Sequence, residues 1–473
     1  MASSNTLTLK SFCDVVGGRL NADRDDEQRP LAARIVTDSR QVQPGDVFWA
    51  LRGPTHSGAD FIDDALKRGA QGIVAETSSN HSPSDCWTVT VPDALAALWD
   101  LARWRRRQFK GRVVGVTGSV GKTTTQRMIH SVLSTRLSGT ASPRSYNNHV
   151  GVPLTMLHWN DEDDYAVVEL GASAPGEIAA LAELTAPRVG VITEIGDAHL
   201  GGFGDLEGVA RAKFELFRAL PHYGWAVVNG DRRRLRRLTH HLQTNLVTFG
   251  RGVDCNLRAD DVQSDGGTLR FRLDGHPFHV PVWGRHHLSA ALASISVGRI
   301  FGLDAEDIAA GLARYEPAPM RCEVRQVRDA TIIQDTYNAS PLAMRAALDL
   351  LRDFEATGRR VVVCGDMREL GRRAAALHRK LGADVVCRSG ADLLVAVGRH
   401  AEDVVSAARD AGMPKENAVA CHTSQECAAE VAVRQVAGDV ILVKGSRALA
   451  LEAVVDALEG SADSNAASLA FAS

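Results

Sequence analysis

The sequence predicts an α/β protein of three domains: a small N-terminal α/β domain, a central parallel-sheet domain built on a phosphate loop, and a C-terminal Rossmann-like α/β domain. Three observations carry this prediction. Short β-branched runs alternate with helical stretches, the pattern of parallel sheets covered by helices. These runs repeatedly end in glycine and polar residues, where parallel sheets place ligand sites. The 473 residues are too many for one core, and about three domains is the length expectation. We set the boundaries at 1–110, 111–318 and 319–459. The Ser/Ala-rich segment 460–473 is expected to be a disordered tail.

In the first segment, Ile35-Val36 runs into Thr37-Asp38-Ser39-Arg40, and Pro44-Gly45-Asp46 turns into the strand Val47 to Leu51. Phe61 to Gly69 reads as a short helix and Ile73 to Ala75 as a further strand. The Thr37–Arg40 turn combines hydroxyls, a carboxylate and a guanidinium, and Arg40 suits an anionic ligand. A turn capped by its own Asp or Ser accounts for the same residues. Leu95 to Phe109 reads as a helix with a basic outer face that leads to the next domain.

The central segment opens on Val113, Val114 and Val116, a buried strand. It enters Gly118-Ser119-Val120-Gly121-Lys122-Thr123-Thr124 and then a helix. Counted from Gly118, this loop is shorter than the G-x-x-x-x-G-K-[ST] form, but its order of strand, glycines, Lys-Thr and helix is that of a phosphate loop. Glycines let backbone N–H groups turn toward phosphate oxygens, and the helix N-terminus adds its positive dipole end. Lys122 is expected to reach the outer phosphates, and the Thr123 hydroxyl to coordinate magnesium.

Further on, Asn147-Asn148 lies in a polar turn before Gly151 and Pro153, which suits a structural loop equally well. Tyr165 to Gly171 reads as a strand ending at Glu169, the best candidate for the acidic residue that holds magnesium in phosphate-loop enzymes. A carboxylate at the end of an apolar strand is costly unless partnered. The strand Val189 to Thr193 leads to His199, which is as readily a hydrogen-bonded surface residue as a ligand. Lys213, in the helix Leu206 to Ala219, reads by itself as a helix-surface lysine. The helix Leu288 to Phe301 follows Gly284-Arg285-His286-His287. No N-K-x-D sequence is present, which argues against a guanine-nucleotide switch.

The last segment repeats the strand-then-polar pattern at Ile332-Ile333 before Asp335, at Val361 to Cys364, at Leu393 to Val397 and at Val440 to Val443 before Lys444.

Bulk properties exclude several classes. A formal net charge of −3 gives no global attraction to nucleic acid or anionic membranes. The basic runs Arg103–Arg107 and Arg232–Arg237 lack interleaved aromatics and read as solvated helix faces. The eight cysteines form no C-x-x-C pair and no Cys/His zinc spacing, so they read as thiols of a reducing compartment. No signal peptide and no apolar run of membrane-spanning length is apparent, so a cytoplasmic protein without membrane insertion is expected.

Together, T-D-S-R, T-G-S-V-G-K-T-T-T, Y-N-N-H-V-G-V-P, V-V-E-L-G-A, I-G-D-A-H-L, A-K-F-E-L, D-T-Y-N-A-S-P, C-G-D-M-R-E-L-G and V-K-G-S-R make the chain resemble the Mur ligases of peptidoglycan synthesis from Thr37 to Arg447. Y-N-A-S-P with G-D-M-R-E-L-G selects the branch that joins D-alanyl-D-alanine to UDP-N-acetylmuramoyl-tripeptide. The resemblance implies an ATP- and Mg2+-dependent ligase, expected to be a monomer. It implies that Gly118, Ser119, Gly121, Lys122, Thr123 and Thr124 serve the ATP phosphates and that Thr123, Glu169 and His199 serve the metal. Lys213 would carry a carbamate formed with carbon dioxide. Arg321 and Asp335 would hold the nucleotide from the C-terminal domain. Thr37, Asp38, Ser39 and Arg40 would belong to the UDP-sugar pocket. Asn147 and Asn148 are further substrate candidates, and Tyr337, Asn338, Lys444, Ser446 and Arg447 would lie near the dipeptide or the domain interface. The chain departs from the family pattern at Glu194, His287, Ala290, Ser340 and Ala343. Other ligases of the superfamily that add a different amino acid or extend folate, and a nucleotide-driven switch without ligation, are the alternative readings.

Overall fold

The structure, a computed structural model, describes residues 7–22, 27–31, 33–53, 55–76, 86–143, 146–327 and 329–460. The tail expected to be disordered lies, from residue 461 on, outside the described residues. By packing, the chain divides into two compact units. One comprises residues 1–115, 137–170 and 180–187, and the other residues 116–136, 171–179 and 188–473.

Three sheets organise the elements. The first has five strands, in the order Arg19–Asn21, Trp87–Thr90, Gly72–Ala75, Val47–Trp49 and Ile35–Val36. It is parallel except where Arg19–Asn21 runs against Trp87–Thr90. The aromatic residues of its core are fully used. Trp49 is completely buried, its indole N–H donates to the Ala94 carbonyl at 2.8 Å, and Phe12 meets it edge-on. The expected basic helix is Ala94–Gln108, capped by Asp93. Two of its arginines bond within their own unit. Arg105 pairs with Asp161, and Arg106 donates to the carbonyls of Thr185 and Ala186.

The central sheet has nine strands in the order His276–Val280, Thr268–Leu273, Leu257–Asp265, Asn245–Gly250, Trp225–Asn229, Val189–Ile192, Arg112–Thr117, Tyr165–Glu169 and Gly139–Ala141. The sequence reading anticipated its parallel part. It did not anticipate the antiparallel meander Leu257–Val280, whose two tight turns place Gly266, Gly267, Asp274 and Gly275 at positive φ. Asp-Gly pairs supply that backbone at low cost, and strands with one buried face follow from the alternation in Thr268–Leu273.

The third sheet has six strands in the order Glu323–Val327, Ala330–Asp335, Val440–Lys444, Arg360–Gly365, Leu393–Val397 and Ala418–Cys421. All its pairings are parallel except the edge hairpin Glu323–Val327 with Ala330–Asp335. The register aligns Asp335 with Lys444, so both side chains emerge at the same carboxyl edge. Helix Pro341–Asp353 starts just beyond. Ser340 caps it by accepting from the Ala343 N–H, and Pro341 fills its first turn.

Two of the largest fully buried side chains are lysines: Lys213 is 1% exposed and Lys444 2%. An ammonium is buried only at high cost unless partnered, so both positions point to chemistry rather than packing.

Candidate active site

The phosphate loop is braced before any ligand reaches it. Gly118 and Gly121 take φ of +151° and +81°. A Cβ on Gly118 would lie 2.0 Å from Thr193 Oγ1, so the position admits only glycine without rebuilding the strand beside it. The Ser119 N–H donates to the Glu194 carbonyl at 2.7 Å, and Ser119 Oγ exchanges hydrogen bonds with the Gly196 backbone at 3.0 Å. Thr193 Oγ1 donates to the Val120 carbonyl at 2.6 Å. Lys122 opens helix Lys122–Leu133 and folds back so that Nζ donates to the Gly118 carbonyl at 3.0 Å. Thr123 Oγ1 accepts from Arg321 at 3.1 Å, and the Thr124 side chain bonds the Tyr315 phenol. Arg321, stacked on the Tyr337 ring at 4.1 Å, therefore reaches the loop.

His199 sits in left-handed backbone, φ +53°, at the start of helix Leu200–Phe203. Its Nδ1 contacts the Glu369 carboxylate, and Glu369 is itself left-handed, φ +63°. Burial lowers the His199 pKa. Glu369 opposes that shift, and the charges of Lys122 and Lys213 add to it. His199 also meets the Phe203 ring edge-on at 6.5 Å. The carboxylate fixes Nδ1 as the N–H end and leaves Nε2 with its lone pair, the arrangement by which a carboxylate orients a metal-binding histidine. Sequence reasoning singled out His199 and missed Glu369, which stands inside the quoted G-D-M-R-E-L-G motif.

Lys213 projects from the inner face of helix Leu206–Arg218, which Asp205 caps, and not from its surface. Its Nζ donates to the Ala172 carbonyl at 3.3 Å and lies over the Phe203 ring at 5.4 Å.

The Asp335–Lys444 rung is an ion pair at 2.6 Å, with Lys444 Nζ also donating to the Asn338 carbonyl at 2.8 Å. Lys444 is thus engaged by its own sheet, and Asn338 Oδ1 accepts from the Ala339 N–H. Removing one partner of such a pair leaves a buried charge uncompensated. Asp335→Asn is therefore expected to destabilise by about 3 kcal/mol, read as a lower urea midpoint with faster hydrogen exchange in strands Ala330–Asp335 and Val440–Lys444. An unchanged midpoint would remove the pair from the stability account. Ser446 is buried and bridges the Asp366 carbonyl and the Arg368 N–H, while Arg447 pairs with Glu452.

The remaining predicted residues lie in the other unit. Glu169 ends its strand at 1% exposure and accepts from Asn147 Nδ2 at 2.6 Å, with its N–H on Ser142 Oγ. Asn147 therefore orients the carboxylate. Asn148 caps helix Gly151–Leu157 through the N–H groups of Val150 and Gly151. Thr37-Asp38-Ser39-Arg40 forms a capped turn. Asp38 accepts from the Arg40 N–H and binds its guanidinium through both oxygens at 2.9 and 2.8 Å, and Ser39 is buried. Arg40 holds the Asp38 carboxyl at about 2. The sign is that of a depressed carboxylate. Its contribution is present above the unfolded value and is lost as pH falls toward the folded one. An NMR pH titration is expected to find Asp38 far below the other exposed aspartates, and Arg40→Ala to return it to the ordinary range.

One network escaped sequence reasoning. Glu194, whose backbone braces Ser119, accepts from Arg232 at 2.8 Å, Asn229 at 2.8 Å and Ser289 at 3.3 Å. Arg232 is thus a partner of the loop's neighbour and not merely part of a solvated basic face.

A phosphate loop on a central parallel sheet, a Rossmann-like sheet that returns Arg321 to that loop, and a buried lysine beside a carboxylate-oriented histidine define a nucleotide-dependent ligase of the three-domain type. Family models agree along the chain: "Mur ligase family, catalytic domain" matches residues 33–99, "Mur ligase middle domain" residues 116–298, and "Mur ligase, glutamate ligase domain" residues 320–447. The chain belongs to the Mur ligase family. It is 35% identical over 454 residues to the UDP-N-acetylmuramoyl-tripeptide–D-alanyl-D-alanine ligase of Bacillus subtilis, covering 95% of this chain and 97% of that one. The crystal structure of MurF from Acinetobacter baumannii superposes with a TM-score of 0.85 at 30% identity, covering 96% and 99% of the two chains. MurF ligase from Thermotoga maritima in complex with ADP does so with a TM-score of 0.79 at 31% identity, covering 92% and 99%. No helix among the described residues is long and apolar enough to cross a membrane.

Proposed function

We propose that this protein is an ATP-dependent amide ligase that joins D-alanyl-D-alanine to UDP-N-acetylmuramoyl-tripeptide through an acyl phosphate. The observation that carries this reading is near full-length similarity to ligases of that name, in a chain whose braced phosphate loop shares one compact unit with His199 and Lys213. The terminal carboxylate of the tripeptide attacks the γ-phosphorus of ATP, and ADP leaves. The dipeptide amine then attacks the activated carbonyl, gives up a proton, and phosphate departs. A carboxylate is a poor electrophile, which is why the phosphoryl group is needed.

Catalysis in the first step is positioning and charge neutralisation. Lys122 turns from the Gly118 carbonyl onto the outer phosphates. Arg321 and Asp335 would hold the nucleotide from the C-terminal domain, and Asp335 also pairs with Lys444. The Thr123 hydroxyl and the His199 imidazole would hold magnesium by the chemistry of their donors; the family resemblance adds the Glu169 carboxylate as a further ligand. Bound there, it offsets phosphate charge.

Lys213 is the carbamate candidate. The ammonium loses one proton to give the amine, which adds to carbon dioxide with loss of a second, exchanging a buried cation for an anion that a bound cation would offset. Thr37–Arg40 would bind the UDP-sugar. Tyr337, Asn338, Ser446 and Arg447 would shape the dipeptide end, and the enzyme would act as a monomer in the cytoplasm. The test is phosphate release from ATP with UDP-N-acetylmuramoyl-tripeptide, with and without D-alanyl-D-alanine. Release that requires both substrates supports the assignment, and release indifferent to the dipeptide would overturn it.

A further inference from the structure

We propose that His286, His287 and Cys322 form a binding site for a single zinc-class metal ion, separate from the magnesium donors. One ligand atom from each of the three side chains lies within 4.8 Å of the other two. His286 Nε2 and Cys322 Sγ are 3.7 Å apart, and the two imidazole rings lie 4.1 Å apart at a tilt of 38°. With Zn–S near 2.3 Å and Zn–N near 2.0–2.1 Å, a tetrahedral site needs sulfur and nitrogen about 3.6 Å apart. The Cys322–His286 edge already meets that, and the His287 ligand atom lies within 4.8 Å of both.

The chain is shaped to make this cluster. Gly284 takes φ +96°, and a Cβ there would lie 2.6 Å from His286 Nδ1. Glycine therefore lets the ring fold back with Nδ1 against the backbone and Nε2 facing the thiol. Cys322 is left-handed, φ +49°, and presents its sulfur from the segment that follows Arg321.

The donor set discriminates between metals. Two imidazoles and a thiolate suit zinc, nickel or copper and are poor ligands for magnesium or calcium. His286 keeps an exposed edge, which leaves the cluster open to an ion from solvent. The Cys322 thiol gives its proton to solvent when a cation binds, so metal uptake releases a proton. The cations facing the cluster are Lys444, already paired with Asp335, and Arg321, stacked on Tyr337. Solvent completes the coordination.

Cobalt(II) is the probe, because thiolate ligation gives a near-ultraviolet charge-transfer band. Titration of the full chain is expected to produce this band at one equivalent, to be displaced by Zn2+, and to resist a thousandfold excess of Mg2+. Cys322→Ser is expected to abolish the band, and His287→Asn to weaken cobalt binding tenfold or more, each with the wild-type thermal midpoint and circular dichroism. A wild-type chain without the band would overturn the proposal. So would full band intensity in Cys322→Ser, which would place the ion on one of the other cysteines.

Discussion

Lys122→Ala is expected to lower the rate of ATP-dependent phosphate release by about 10²–10³-fold, the scale of losing one preorganised charge-stabilising donor. The loop should survive the change. Its shape is set by Gly118, Gly121 and the bonds from Ser119 and Thr193. The thermal midpoint should therefore stay near wild type, which separates lost chemistry from lost structure. Steady-state phosphate release beside a melting curve decides it. Activity within a few-fold of wild type would mean that the phosphates are neutralised elsewhere.

Lys213→Met should be comparably inactive for a different reason. Methionine keeps the length and apolar stem of the side chain in helix Leu206–Arg218 but deletes the nitrogen. Lys213 is 1% exposed, so the methionine side chain occupies the same buried space, and a melting curve reports any stability change separately from lost chemistry. Activity should nonetheless fall by at least about 10²-fold, the size of losing one charge-bearing catalytic group. The carbamate adds a second signature: wild-type enzyme held in carbon dioxide-free buffer should lose activity and regain it with bicarbonate, while Lys213→Met should not respond. Bicarbonate-independent wild-type activity would retire the carbamate even if the methionine variant were dead.

Much of this was legible before any coordinates. The phosphate loop, Glu169 at a strand end and the succession of strands and helices follow from local composition and period, which the chain carries within short windows. The antiparallel meander is also written locally, in the turn pairs Asp265-Gly266-Gly267 and Asp274-Gly275 between alternating strands. The rest lies outside local signals. Asp335 meets Lys444 because two strands far apart in sequence share a register. Glu194 meets Arg232, and Cys322 meets His286, through chain crossings that no spacing rule encodes. Lys213 looked like a surface residue because its helix is amphipathic, and only the packed structure shows that it lies on the buried side.

The bonds that tie Ser119 to residues 194 and 196 bear on affinity and kinetics. A loop that must order around its ligand gives back part of the contact energy as lost entropy, and nucleotide binding then shows slow, conformation-limited association. Here that ordering is completed during folding, through Thr193, Glu194 and Gly196. Nucleotide should therefore associate in a single concentration-proportional phase, with the amide of Ser119 already protected from hydrogen exchange in the free enzyme.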